Sequence, residues 1–270
     1  MQETEYDLII DIRSTFKTVL FSVFSLKSPY RIGRKKLYNY FIHNYRVDTL
    51  VDGDEISRAL SILKPLEKDF EVKYDRNFRI YVSDEKKMIF RTKMKLYGID
   101  FSKPVIVCAV ATRIHNKMWE QEKMTALLAR IIKNFDVQLI FNYGSFAEKK
   151  IAFQIKKAIG NNSQIFTDIN AGNLGELAAL IANSDFFLGN EGGPRHISQA
   201  LDIPSFAIYP HGADKKFWLP NACERFQGIE AEDITEQTKD KNLSSKEKFA
   251  FVTVDEVWKR IKPMLDILFS

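Results

Sequence analysis

The chain has 270 residues, 45% hydrophobic and 28% charged, which is the make-up of a soluble globular protein with one large domain or two modest ones. A net charge of +5 favours anionic partners such as nucleotides, phosphorylated sugars or an anionic membrane surface, and the absence of any RNA-module signature or aromatic-basic repeat speaks against nucleic acid. Two cysteines outside any CxxC pattern, scattered histidines, no signal-peptide pattern and no apolar run near ~18 residues together exclude a structural zinc site and a membrane span, and predict a cytoplasmic protein.

In chain order, "YDLIIDI" (6–12) predicts a strand that begins almost at once, and "STFKTVLFSVFSL" a helix with Phe16, Val19, Leu20, Val23 and Phe24 on helical spacing. The stretch 30–46, "YRIGRKKLYNYFIHNYR", is aromatic and basic and is expected to run over the surface near a site. Its alternative is a merely solvated loop. A helix is predicted over 55–70, and 71–103 reads as a linker holding a short strand, a charged helix and a turn that ends at Pro104. Beyond this point strands and 10–15-residue helices alternate: "PVIVCAVA", "EQEKMTALLARIIKNF", "VQLIFNYG", "FAEKKIAFQIKKAI", "SQIFTD", "NLGELAALIANS", "DFFLGN", "PRHISQALD" and "PSFAIYP". Such alternation implies βαβ units and a parallel sheet over 104–211. Residues 224–250 are polar and predict a long loop. "TVDEVWKRIKPMLDILF" closes the chain as a helix opened by a Thr253…Glu256 capping box.

Ligands of open α/β sheets bind beyond the carboxyl ends of the strands, and three of the predicted strand ends are chemically loaded. "ATRIHNKMW" (111–119) offers Arg113, His115 and Lys117 ahead of Trp119, a pattern suited to clamping a phosphate or sugar, or simply a solvated basic loop. In "NYGSFAEKK" (142–150), Gly144 permits close backbone approach and Glu148 lies in the first turn of the next helix, where Ser145-x-x-Glu148 equally fits a capping box. The third is "GNEGGPRHISQAL" (189–201). Gly192 and Gly193 allow a sharp turn and Pro194 suits a helix start, which would aim free N–H groups at an anion flanked by Arg195 and His196. Glu191 is a poor neighbour for phosphate and better suited to sugar hydroxyls. The spacing matches neither a P-loop nor GxGxxG.

The string "NSDFFLGNEGGPRHISQALDIPSFAIYPHGADKKFWLPN" (183–221) resembles the C-terminal signature of glycosyltransferase family 9, the lipopolysaccharide heptosyltransferases, in which a strand leads into a G-x-D-[ST]-G-x-x-H loop. "KMW" before an amphipathic helix and "EYDLIIDIRSTFKTVLFSVFSLKSPYRIGRKK" support the likeness, which then covers nearly the whole chain. It implies a GT-B-like α/β fold of two Rossmann-type domains with parallel sheets: an incomplete acceptor-side domain with linker over 1–100, and a nucleotide-sugar-binding domain over 101–270 whose final helix, 253–269, returns to the first domain. It further implies a metal-independent, inverting glycosyltransferase without cofactor. The donor would be a nucleotide sugar of the ADP-heptose type, and the acceptor a lipid-linked glycan on the inner face of a bacterial membrane. Carried onto matching positions, Lys117 would contact donor phosphates and Glu148 the nucleoside or sugar. Glu191 would hold sugar hydroxyls, and Gly192, Gly193 and His196 the diphosphate, with Arg113 and Arg195 in support. Glu191 and Gly192 depart from the family's Asp and Ser or Thr. The family's general-base Asp has no match here, and Asp11, the one similarly placed carboxylate, aligns elsewhere. The same resemblance therefore also admits a nucleotide-sugar-binding remnant, or half of a split transferase completed by a partner chain; a GT-B hydrolase or epimerase relative ranks below both.

Overall fold

In the computed structural model, which describes residues 5–50 and 52–269, the apolar runs become strands of two all-parallel sheets. The described residues fall into two compact units. One runs to Asn77 and includes Lys216–Pro220; the other comprises Phe78–Lys215 and the chain from Asn221 onward.

The first unit carries a three-stranded sheet in the order β1 (Leu8–Asp11), β2 (Tyr30–Arg34), β3 (Tyr45–Val47). Helix α1 (Phe16–Val23) connects β1 to β2 and opens on a reciprocal Thr15–Thr18 cap. The 30–46 stretch is thus not one surface loop, because its two ends are strands. Ile32 is fully buried against Ile62 and Leu66, and that burial is what draws β2 into a sheet. Gly33 lets the His43 ring lie across the strand, since a Cβ there would come within 2.2 Å of the imidazole. The helix predicted over 55–70 is α-helical only as α2 (Glu55–Leu60) and continues as a 3₁₀ segment over Ser61–Lys68, where Pro65 removes a donor and crowds the preceding turn. Residues 71–83 take no regular structure, so the short strand expected there is absent.

The second unit begins with α3 (Asp84–Leu96), whose Phe90 and Met94 are buried beside Leu180 and Ile181. That burial carries the unit boundary back to residue 78, well before the 100/101 division expected from sequence. There follow β4 (Val105–Ala109), α4 (Gln121–Asn134), β5 (Gln138–Phe141), α5 (Phe146–Ala158), β6 (Ile165–Phe166), α6 (Leu174–Ile181), β7 (Phe186–Asn190), α7 (Gly193–Ala200), β8 (Ser205–Ile208) and the short α8 (Lys215–Trp218). The segment expected to be a long polar loop instead holds β9 (Phe226–Ile229), paired in parallel with β8, and α9 (Ser245–Ala250). Its main-chain bonds to the sheet edge outweigh a composition poor in apolar residues. The sheet order is β6-β5-β4-β7-β8-β9.

Helices cover both faces, so the strands read as unbroken apolar runs, yet their side chains still alternate. In β4, Ile106 and Cys108 enter the core shared with α4 and α5, while Val105 and Val107 enter the core shared with α3 and α6. The last helix, α10 (Val254–Phe269), buries Val257, Ile261 and Leu265 in the first of these cores. It packs within its own unit against α4.

Candidate functional site

The chain runs outward from β4 through β5 to β6, then crosses back to place β7 on the opposite side of β4. The sheet's topological switch point thus lies between β4 and β7, where open α/β sheets leave a crevice at the carboxyl ends of their strands. The loops that follow these two strands are 111–119 and 191–193, two of the three loaded loops.

A single buried side chain ties them together. Asn190 donates from Nδ2 to the Ala109 carbonyl at 3.0 Å and accepts at Oδ1 from the Trp119 amide at 2.8 Å. Sequence patterning did not single out Asn190, and only its place at the end of a strand facing a neighbouring loop could have flagged it. The strands themselves are pressed close. Gly189 has φ +155°, and a Cβ there would lie 2.4 Å from the Ala109 carbonyl oxygen. Trp119, expected beside the ligand, is instead fully buried and donates its indole N–H to the Val252 carbonyl at 2.9 Å. It anchors the loop from below and offers no stacking face.

Helix α7 starts on Gly192, which is extended and provides no side-chain cap, and has Pro194 in its first turn. Pro194 carries no N–H and the Arg195 amide already donates to the Gly192 carbonyl at 3.1 Å, which leaves the Gly193 amide as the donor of this turn without an intrahelical acceptor, and the helix dipole adds partial positive charge there. A Cβ at Gly193 would meet nothing within 4 Å, so this end is open to a ligand. Arg195 is fully buried: its guanidinium donates to Gln199 Oε1 and to His196 Nδ1. Burial, and then the Arg195 charge, pull the His196 pKa down to about 4, so at neutral pH the ring is an uncharged donor. Burial also lowers the Arg195 pKa, against the opposing pull of Tyr209 and Glu191. Tyr209, fully buried with its hydroxyl unbonded, is raised by burial, as is Glu230. Tyr209 and Glu230 complete the polar surroundings of Arg195 and Glu191, and nothing in their sequence contexts signals it.

Glu148 lies at the mouth of the next strand outward. Its Oε2 accepts from the Gly144 amide at 2.8 Å, and its own amide donates to Ser145 Oγ at 3.3 Å. The capping alternative thus describes its resting contacts, displaced by one residue from the standard box. Lys117 is exposed at the end of a 3₁₀ turn and lines a cavity of about 1070 Å³ together with Lys150, His211 and Lys246. Glu148, Glu191, Gly192, Gly193 and His196 do not line that cavity, and exposed Arg113 does not either. The structure thus gathers Glu191, Gly192, Gly193, Arg195 and His196 at one helix start, with Lys117 on the adjoining loop and Glu148 one strand further out.

In the first unit, Asp11 is buried. Its Oδ1 accepts from the Ser14 amide at 2.7 Å and its Oδ2 from Thr18 Oγ1 at 2.9 Å. Ser14 Oγ in turn accepts from the Arg34 amide at 2.6 Å. Asp11 is a structural pin of the β1–α1 turn. Among the described residues, no group of three or more His, Cys, Asp or Glu is placed to hold a metal ion.

The family model described as glycosyltransferase family 9 (heptosyltransferase) matches residues 1–248. The chain is 27% identical over 217 residues to lipopolysaccharide heptosyltransferase 1 of Campylobacter coli, an alignment covering 77% of this chain and 62% of that protein. The chain thus spans less than two thirds of that relative's length. Among solved structures it is similar to a family 9 glycosyltransferase of Veillonella parvula DSM 2008, with a TM-score of 0.81 at 15% identity, covering 98% of this chain and 75% of that one. It is also similar to the E. coli ADP-heptose lps heptosyltransferase II, with a TM-score of 0.71 at 18% identity, covering 98% and 78%. These two likenesses show the α/β fold with its parallel sheets.

Proposed function

The chain belongs to glycosyltransferase family 9, and from that premise we propose that it transfers a heptose-like sugar from a nucleotide diphosphate donor, ADP-heptose or a close analogue, to a lipopolysaccharide core or related lipid-linked glycan at the cytoplasmic face of a membrane. The observation that carries this is the uncapped start of α7 at the β4–β7 switch point, with neutral His196 beside it.

In this reading the donor diphosphate sits on the Gly192 and Gly193 backbone at the start of α7, and His196 donates its ring N–H. Lys117 supplies the full positive charge that the neutral histidine lacks. Glu191 accepts hydrogen bonds from sugar hydroxyls and Glu148 from the nucleoside, giving up its bond to Gly144. The acceptor hydroxyl attacks the anomeric carbon opposite the diphosphate and releases its proton to water or to a base outside the residues assigned here, the carbon–oxygen bond to phosphate breaks, and the configuration inverts. Charge growing on the leaving diphosphate is met by Lys117, His196 and the α7 dipole. The reaction is accordingly proposed to need no metal or cofactor, and turnover should be insensitive to EDTA.

Isothermal titration with ADP, UDP and GDP is the direct test. Binding of one of them, weakened about tenfold or more by Lys117→Ala and by His196→Ala, is the expected result. No binding of any of the three, or of their sugar conjugates, sinks the reading.

A second reading rests on Asp11. Buried in the β1–α1 turn and accepting from Ser14 and Thr18, it is engaged as a structural group, and no other carboxylate of this chain is assigned as the base that takes the acceptor proton. In this reading the chain binds donor as a catalytically impaired relative, or acts with a partner chain that supplies the base. Donor binding without transfer to any lipid-linked glycan separates this from the first reading.

A further inference from the structure

Asn-x-Gly occurs twice in the second unit, as Asn142-Tyr143-Gly144 and Asn170-Ala171-Gly172, each time after a strand and just before a capped helix. The ladder between β5 and the edge strand β6 consists of Leu139 opposite Ile165 and Ile140 opposite Phe166, and it ends there. Beyond it the two loops leave the sheet side by side at its carboxyl end, and side chains take over from the ladder. Asn142 Oδ1 accepts from the Ala171 amide at 3.1 Å, and Asn170 Oδ1 accepts from the Tyr143 amide at 3.1 Å. The two asparagines thus clasp each other's loops reciprocally. Tyr143 adds its hydroxyl, which donates to the Thr167 carbonyl at 2.9 Å. Lys93 of α3 braces the outer loop by donating to the Asn170 carbonyl at 3.0 Å.

Loops at a sheet edge are ordinarily among the parts of a domain that open most easily. Here both are pinned, and the pin stops one residue short of a group that meets the ligand in the transferase reading. The Tyr143 amide is taken by Asn170, and the next amide, that of Gly144, by Glu148 Oε2 at 2.8 Å. Turning Glu148 toward a nucleoside breaks the second bond and leaves the first intact. Without the Asn170 bond the same turn would release the whole loop, and part of the binding energy would be lost in ordering it again. With that bond in place, Gly144, exposed and lacking a side chain that could cover its amide, stays where it is as a bare N–H donor.

We propose that the Asn142–Asn170 clasp is a positioning device for the nucleoside end of the donor. It holds the 142–144 loop still while Glu148 exchanges the Gly144 amide for the ligand, so that the carboxylate accepts from the nucleoside and the freed amide donates to it. The proposal rests on the assignment of Glu148 in the transferase reading. It adds Asn142 and Asn170 as positioning residues and the Gly144 amide as a group that touches the ligand.

Isothermal titration with ADP, UDP and GDP, each beside inorganic pyrophosphate, tests it. Asn142→Ala and Asn170→Ala should each weaken binding of the nucleotide that the wild type takes about fivefold, and leave binding of pyrophosphate, which has no nucleoside, unchanged. Adding Asn170→Ala to Glu148→Gln should cost little beyond Glu148→Gln alone, because the clasp acts through that carboxylate. A measurement on the wild type needs no variant: nucleotide should shift the Gly144 amide resonance in nitrogen-15 NMR, while the Tyr143 and Ala171 amides keep their protection from exchange. An equal loss of nucleotide and pyrophosphate affinity means a general loosening of the unit and overturns the proposal. Losses that add in full to that of Glu148→Gln overturn it as well, and so does faster exchange of the Tyr143 amide once nucleotide is bound. Undiminished nucleotide affinity in both asparagine variants removes the clasp and leaves the transferase reading standing. Failure of the wild type to bind any of the three nucleotides or their sugar conjugates removes that reading, and the clasp with it.

Discussion

At His196 three facts act on one ring: burial, the adjacent guanidinium of Arg195 and the first turn of α7. The folded-state pKa of about 4 lies below the ordinary value of 6.5. As pH falls through 6.5 the unfolded chain takes up a proton that the native ring refuses until near 4, so this residue's contribution to stability is complete above 6.5 and is lost between 6.5 and 4. His196→Gln should remove that dependence, amounting to about 2 kcal/mol, when urea unfolding at pH 7.5 is compared with unfolding at pH 4.5. An identical pH response in wild type and variant would contradict the assignment. A bound diphosphate should raise the pKa of the same ring, visible as a shifted histidine titration by NMR in the presence of ADP. Asn190 gives a second test at this scale. Asn190→Leu strands the Trp119 amide and the Ala109 carbonyl in a buried site, which should cost about 3 kcal/mol and lower the melting temperature by roughly 8 °C. A calorimetric shift of under about 2 °C would mean that the bridge is not structural.

Two successive strand-to-helix junctions are built alike. At β5–α5 the Gly144 amide is held by Glu148 Oε2 at 2.8 Å, and at β6–α6 the Gly172 amide is held by Glu176 Oε2 at 3.0 Å. The caps, Ser145 and Asn173, each accept from the amide of the corresponding glutamate. Shared geometry means that capping alone does not distinguish Glu148, so the pair provides an internal control. Glu176→Gln should cost under about 1 kcal/mol and leave ADP affinity unchanged. Glu148→Gln should cost no more in stability yet weaken ADP binding about tenfold, and equal affinity in both variants would reduce Glu148 to a cap. Elements of this kind were legible in the sequence where they rest on local rules: the Ser-x-x-Glu spacing at 145–148, alternation of strand with helix, and the glycines at 192 and 193. What escaped had non-local causes. β9 exists because β8 offers an unpaired edge to a polar segment, β2 because Ile32 finds Ile62 thirty residues on, and the unit boundary because Phe90 and Met94 belong to α6. The site divides in the same way. The glycines and His196 could be read from spacing, whereas Asn190, Tyr209 and Glu230 act through strand neighbours that no linear pattern reveals. Trp119 was misread because an aromatic beside a lysine looks the same in sequence whether it faces a ligand or the core.

Across the whole molecule, the segment 71–83 is irregular, mostly exposed and joins the two units. Exposed backbone without ladder or helix bonds opens at little cost, so brief trypsin treatment should cut first at Lys73 or Arg79 rather than within either sheet. Every residue assigned to the donor lies in the second unit, from Lys117 to His196. A ligand that binds only the native form of one unit stabilises that unit by mass action, about 2.7 kcal/mol at a hundredfold excess over its dissociation constant. Saturating ADP should therefore slow amide exchange at 111–119, 142–148 and 189–200, and in the β4–β7 core beneath them. Exchange in β1, β2 and β3 should stay as it is without nucleotide. Slowing spread equally over both sheets would place donor contacts in the first unit as well, and slowing confined to the first unit would remove the donor site from α7 altogether. The outcome also bears on the relatives' greater length. If one unit of this chain holds the nucleotide alone, donor binding needs none of the additional chain, and acceptor capture is the step left for the first unit and whatever joins it.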